Sequence, residues 1–235
     1  MRKSLLVAGT ATLAVGVSGI AVAQTPAPSI EVSASASPSK AGTKSKPRSH
    51  KLTLSVKNNV ESKSTAKSIE ISYPRTIKLS TSGLDECRAS DDELIANVNV
   101  CRKSIAGKGE ANALVNPFAA APAALKFKVT PVVGRKELLF VLDSPIADAV
   151  LHGKIRGNKL TIAINPELQQ PAPNTYSALV DLKTTLSKKK GSKALVASTG
   201  CRNKKATVNV KINYAPNPNP PATSSASDSD DIPCS

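Results

Sequence analysis

A chain of 235 residues with a formal charge of +15 and only 3% aromatic residues is long enough for one large domain or two small ones and is strongly cationic. The charge favours contact with polyanions and says nothing about fold. The lack of Trp and the scarcity of Phe and Tyr exclude the stacking platforms on which single-strand nucleic-acid readers depend, so no specific nucleic-acid recognition is expected.

Residues 1–23 open with Met1-Arg2-Lys3, continue as an apolar and small-residue run, and end on Ala21-Val22-Ala23 before Gln24. That is the cationic start, apolar middle and small-x-small cleavage site of a secretory signal peptide. The Gly, Ala, Ser and Thr content of the run, with no charged stop behind it, argues against a membrane anchor, and no transmembrane segment is expected in the mature chain. Removing Arg2 and Lys3 with the leader lowers the charge from +15 to +13. No lipobox cysteine follows and no apolar sorting tail closes the chain, so release or loose association with the cell envelope is expected.

Residues 24–50 are rich in Pro, Ser and Lys and read as a partly flexible segment, with a short edge strand starting at Ile30-Glu31-Val32. Residues 51–57 alternate polar and apolar at period two, the clearest early strand, and Asn58-Asn59 supplies turn chemistry. Alternation resumes over 66–73, Pro74 interrupts it, and Ile77 and Leu79 mark another short strand. The period then changes. Ser90 followed by Glu93 is a capping box, Asp91 and Asp92 suit a helix N-terminus, and Leu94, Ile95 and Val98 form one apolar stripe, which predicts a short helix. Strand signals return over 110–115, 125–133, 137–142, 150–155 and 159–164, with Gly157-Asn158 as a hairpin turn between the last two, and again over 178–186, 194–198 and 206–214.

About ten strands with no amphipathic helix between them exclude βαβ units and predict an all-β fold, an antiparallel immunoglobulin-like or elaborated β-sandwich with one short helix in a disulfide loop. It spans residues 51–215, as one module or as two dividing near residue 133. Residues 216–235, rich in Pro, Ser, Asn and Asp, read as a disordered tail.

Cys87, Cys101, Cys201 and Cys234 form an even set, and after export disulfides are the default. Three pairings are open; the nearest-neighbour one, Cys87 with Cys101 and Cys201 with Cys234, is favoured. Loop closure would stabilise the fold by about 3 kcal/mol for the first pair and about 4 kcal/mol for the second. The first is nevertheless expected to matter more, because the second ends in a tail without contacts.

The series Cys87-x13-Cys101, Ser104-x-x-Gly107-x-Gly109, Val150-Leu151-x-Gly153-x-Ile155, Leu160-x-Ile162-x-Ile164 and Cys201 before a final strand resembles uncharacterised secreted β-sandwich proteins of actinobacteria. Arg102, where members often have Pro, and residues 207–212, where they often carry an aromatic, depart from that pattern. The resemblance implies export and a β-rich fold; it brings no activity and no catalytic residue.

No complete catalytic set is found, and no catalytic residue, metal site or cofactor is assigned. Ser-x-x-Lys at Ser37, Ser64 and Ser187 lacks its companion motifs. Gly107-Lys108-Gly109 lacks the rest of a nucleotide loop and reads as a turn into a strand. The four cysteines have no C-x-x-C spacing for zinc. Asp228, Asp230 and Asp231 sit on a segment too loose to hold calcium, though a Cys201–Cys234 bond would bring them towards Arg202, Lys204 and Lys205. Strand alternation turns His152 away from Leu151 towards solvent or a rim, and the cations Arg48 and Lys51 disfavour protonation of His50.

Two basic clusters remain: Lys40, Lys44, Lys46, Arg48 and Lys51, and Lys188, Lys189, Lys190 and Lys193. They point to a secreted, non-enzymatic structural or adhesive protein whose partner is an anionic cell-wall polymer or another envelope component. The alternative is a secreted polysaccharide-acting enzyme with carboxylates gathered from separate strands, a site not visible in the sequence, where candidates such as Asp143, Asp148 and Asp181 are too scattered to assign.

Overall fold

The computed structural model describes residues 26–216 and 225–235, so the signal peptide expected over residues 1–23 lies outside the described residues. The strands are β1 (Ile30–Ser37), β2 (Arg48–Ser49), β3 (Lys51–Asn58), β4 (Ala66–Ser72), β5 (Ile77–Leu79), β6 (Gly107–Val115), β7 (Ala123–Val133), β8 (Glu137–Asp143), β9 (Ala149–Arg156), β10 (Lys159–Ala163), β11 (Ser177–Leu186), β12 (Lys189–Lys190), β13 (Lys193–Ala194), β14 (Val196–Ser198), β15 (Lys205–Tyr214) and β16 (Ser225–Pro233). Two short α-helices, α1 (Asp91–Ala96) and α2 (Pro166–Gln169), complete the regular elements of the described residues with two 3-10 segments, Val60–Ser62 and Val98–Ser104. No described helix is long and apolar enough to cross a membrane.

Eleven strands form one antiparallel sheet in the order β1-β3-β11-β6-β7-β8-β9-β10-β4-β15-β16. Val133 pairs with Leu138 inside this ladder, so the β7–β8 hairpin continues straight through the position at which the sequence allows a division. One apolar core, running from Ala34 on β1 to Ile232 on β16, is shared by the sheet. The helix expected inside a disulfide loop is α1. Glu93 N–H donates to Ser90 Oγ at 3.3 Å, Ser90 N–H donates to Glu93 Oε2 at 2.8 Å, and Cys87 is bonded to Cys101. Leu94 is fully buried but Ile95 is exposed, because six residues present a narrower apolar stripe than the sequence pattern allows.

Leu94 packs with Val132, Leu139, Val141 and Val150 on the outer face of β7, β8 and β9, and its burial contributes about 2 kcal/mol. Leu138, Phe140 and Leu142 meanwhile face the main core. Covered on both faces, β8 buries five consecutive residues, which is why its sequence is continuously apolar rather than alternating. Gly107 and Gly109 belong to β6 and not to a turn; a Cβ at Gly107 would stand 1.8 Å from the Thr185 carbonyl oxygen, so only glycine permits the close approach of β11. The run 194–198, expected as one strand, is divided between β13 and β14 by the fully buried Leu195, which turns into the core.

The largest departure from the sequence reading is at the C-terminus. Residues 225–233, expected as disordered tail, are β16, paired with β15 from Lys205↔Pro233 to Asn213↔Ser225. Ala226 and Ile232 are buried in the core, and Cys234 is bonded to Cys201. The composition argument fails because the strand need not fold by itself: β15 supplies a ready template and the disulfide holds its end.

Ten successive antiparallel pairings bring β16 back parallel to β1, and the two lie side by side. The junction is made by side chains. Val32 N–H donates to Asp228 Oδ2 at 2.8 Å and Ala34 N–H to Asp230 Oδ2 at 2.7 Å. Alternation places Asp228 and Asp230 on the same face of β16 as Ala226 and Ile232, and their carboxylates take up amides that would otherwise form an open sheet edge. The sheet is thus closed on itself. Of the three tail aspartates only Asp231 reaches the cations expected beside them, with Lys205 Nζ 2.6 Å away.

Candidate functional site

One end of the closed sheet, where Ser37, Lys51, Leu186 and Gly107 lie, is covered by a small sheet in the order β2-β14-β5. Ile77 and Leu79 on β5 and Val196 and Ser198 on β14 are buried, while Lys78 between the first two is exposed. Register pairs Ala197 with both Ser49 and Lys78, and Ser198 with both Arg48 and Ile77. The small sheet therefore draws together three segments far apart in the chain, residues 38–51, 74–80 and 187–205. They carry five, two and seven Lys or Arg respectively, and no Asp or Glu.

The two sequence-predicted lysine clusters share this cap, one at the Ser198 end of β14 and the other at its Val196 end. Lys40, Lys44 and Lys46 are exposed on the loop before β2, Arg48 is exposed in β2, and Lys51 opens β3. Lys189, Lys190 and Lys193 are exposed on the β12–β13 hairpin, which turns at Gly191 with φ +55°. Lys188 is half-buried, with its Nζ donating to the Lys103 carbonyl. Lys190 Nζ lies 2.5 Å from Asp85 Oδ1, and this hydrogen bond, with the charges of Lys190, Lys188 and Lys103 around it, holds the Asp85 carboxyl below the usual range. Lys78 and Lys103 join the basic surface although neither belongs to the two clusters visible in the sequence. Alternation with Ile77 and Leu79 makes Lys78 legible as outward-facing, but nothing local tells which residues lie beside it.

A buried clasp ties the cap together. Ser198 Oγ accepts from Gly42 N–H at 2.9 Å and lies 2.7 Å from His50 Nε2. The arrangement that satisfies all three has the Ser198 hydroxyl donating to a neutral imidazole. Burial is the main reason that His50 titrates below its ordinary value; Arg48 adds to the effect, as expected from the sequence, but is secondary to burial. Both side chains are buried, and the void beside them measures about 20 Å³. Ala41 N–H donates to the carbonyl oxygen of Ser235 at 2.7 Å, so the basic loop is pinned to the residue after Cys234 as well.

His152 is half-exposed on the outer face of β9, opposite Leu139 in the ladder. Its Nε2 lies 3.1 Å from Asp91 Oδ2 on α1 and its Nδ1 lies 3.2 Å from Glu137 Oε2 on β8. Burial lowers its pKa, but the hydrogen bonds and charges of Asp91 and Glu137 outweigh that and raise it above the ordinary value. Protonated His152 thus clamps the disulfide loop to the sheet. A folded-state pKa above the unfolded one gives stability that is fully present below about pH 6.5 and lost as pH rises through the folded value. His152→Gln is accordingly expected to lower the melting temperature more at pH 5.5 than at pH 9, as measured by thermal unfolding at the two values. Equal losses at both would show that the histidine acts by packing alone.

Asp143 and Asp148 flank the β8–β9 turn, one step beyond the pair Leu142↔Ala149, while Asp181 lies on β11, which is separated from β8 by β6 and β7. Asp148 Oδ1 accepts from Ser144 N–H at 2.9 Å in a turn, Asp181 Oδ1 accepts from Asn112 Nδ2 at 2.8 Å, and Asp143 is exposed at the end of β8. Among the described residues no group of three or more His, Cys, Asp or Glu is placed to hold a metal ion. No protein-family model matches this sequence, and comparison with curated proteins gives no match.

Proposed function

We propose that this protein is an exported, non-enzymatic binding module that attaches through its basic cap to an anionic polymer of the cell envelope, such as a phosphate-bearing wall polymer. The observation that carries this reading is the meeting of three acid-free segments, rich in Lys and Arg, over a single end of the sheet. Fourteen cations from distant parts of the chain are concentrated in this way, only Lys190 and Lys205 of them in ion pairs among the described residues, and together they create a field that a scattered surface charge does not. None of the three segments contains Phe, Tyr or Trp, so attraction to backbone charge, without base stacking, is the mode of contact. Export is supported by the signal-type N-terminus and by two disulfides, which suit an oxidising compartment.

Binding to long-chain inorganic polyphosphate is the direct test. Counterion release makes the logarithm of the affinity fall linearly with the logarithm of the salt concentration. The combined variant Lys44→Gln, Lys46→Gln, Lys189→Gln and Lys193→Gln removes exposed cations while leaving Lys188 and Lys190 to their partners Lys103 and Asp85. It is expected to bind at least tenfold more weakly at low salt and to show a shallower salt slope, by up to ~0.9 for each phosphate that the variant no longer neutralises. Salt-independent binding, or an unchanged slope in the variant, would reject the cap as the attachment surface.

A further inference from the structure

The interior is unevenly packed. Between the two faces in mid-sheet, and again beneath the basic cap, the remaining voids measure about 10 and 20 Å³, whereas at the opposite end a cavity of about 110 Å³ persists. Protein interiors leave few voids larger than a water molecule, and an unfilled apolar cavity lowers stability in proportion to its volume. This one arises from side-chain choice: Ala66 on β4, Ala111 and Ala113 on β6 and Ala147 in the β8–β9 turn line it, where Leu, Ile, Val and Phe occupy much of the neighbouring core. Phe127 and Leu168 are among the larger apolar walls, and among the described residues no Lys or Arg lines it.

The cavity has a mouth. Glu167 and Pro171 are both lining residues and both at the surface, which places the opening beside α2, whose Leu168 lies over the apolar interior. Its volume is of the order of the engineered ~150 Å³ apolar cavity that stays dry and takes up benzene. We infer that this cavity binds a small uncharged apolar molecule, the size of one aromatic ring or a short alkyl chain, admitted past α2. Apolar walls reward hydrocarbon, and the absence of a lining cation leaves an acidic head group without a partner. The site lies at the opposite end of the sheet from the basic cap and does not depend on polyanion binding.

The test uses the signal-free protein with toluene, 1-hexanol and hexanoate as probes, followed by backbone amide NMR and thermal unfolding. Toluene and 1-hexanol are expected to give saturable shifts centred on Ala111, Ala113, Leu125 and Ile164 and to raise the melting temperature, with hexanoate at least tenfold weaker. Ala113→Phe and, independently, Ala147→Leu fill the space and are expected to weaken toluene binding at least tenfold without lowering the melting temperature of the free protein. Ala147 lies outside the strands, so that variant decides the matter if Ala113→Phe fails to fold. Absence of saturable shifts in the unsubstituted protein, or toluene binding unchanged in folded Ala147→Leu, would overturn the site. Hexanoate binding as tightly as 1-hexanol would overturn the assignment of an uncharged guest.

Discussion

Replacing Asp228 and Asp230 together by Ala is expected to reduce the unfolding free energy by about 3 kcal/mol, from the loss of two hydrogen bonds to charged acceptors at about 1.5 kcal/mol each. Val32 and Ala34 would then present unpaired amides along the junction of the closed sheet where side chains stand in place of a backbone ladder. Asn in place of both aspartates keeps a carbonyl oxygen in reach and should recover at least half of the loss. Urea unfolding measures the energy, and amide hydrogen exchange at Val32 and Ala34 reports the junction itself. A double Ala variant with unchanged stability and unchanged exchange at those two amides would mean that the seam is held by core packing around Ala226 and Ile232 instead.

Removal of the Cys201–Cys234 bond by a pair of Ala substitutions should lower the melting temperature more than removal of Cys87–Cys101. Sequence separations of 33 and 14 residues correspond to about 4 and about 3 kcal/mol of loop-closure stabilisation. Structure widens that gap. Cys234 anchors the strand that closes the sheet, and Ser235 beyond it accepts from Ala41 in the basic loop. The first bond, by contrast, encloses a helix that Leu94, the capping box and His152 also hold in place. Because β16 carries both Asp230 and the approach to Cys234, losses from the seam and from this disulfide should be less than additive when combined. A larger loss from the Cys87–Cys101 pair would show that β16 is retained by its ladder with β15 alone.

Features set by neighbours in sequence are legible in the sequence itself. Alternation over residues 51–57 is β3, the Ser90–Glu93 capping box is the start of α1, and Gly157-Asn158 is the turn from β9 to β10, because backbone period, cap and turn each need only a few adjacent residues. The favoured cysteine pairing is also the one formed, since each partner is the nearest available. The basic clusters are visible there one at a time.

What lay beyond the sequence are relationships between distant residues. Ser and Asp have little strand propensity, so residues 225–233 read as a tail until β15 and β1 are set on either side of them. The sequence alone determined an antiparallel all-β chain with a capped helix in a disulfide loop. Tertiary structure decided that an odd number of antiparallel strands must close on a parallel seam, and that Asp228 and Asp230 bridge it. It also decided that residues 38–51 and 187–205 share one cap and that four alanines leave one cavity. Each is an encounter across a hundred residues or more or between several strands, and local periodicity carries no record of which strands become neighbours.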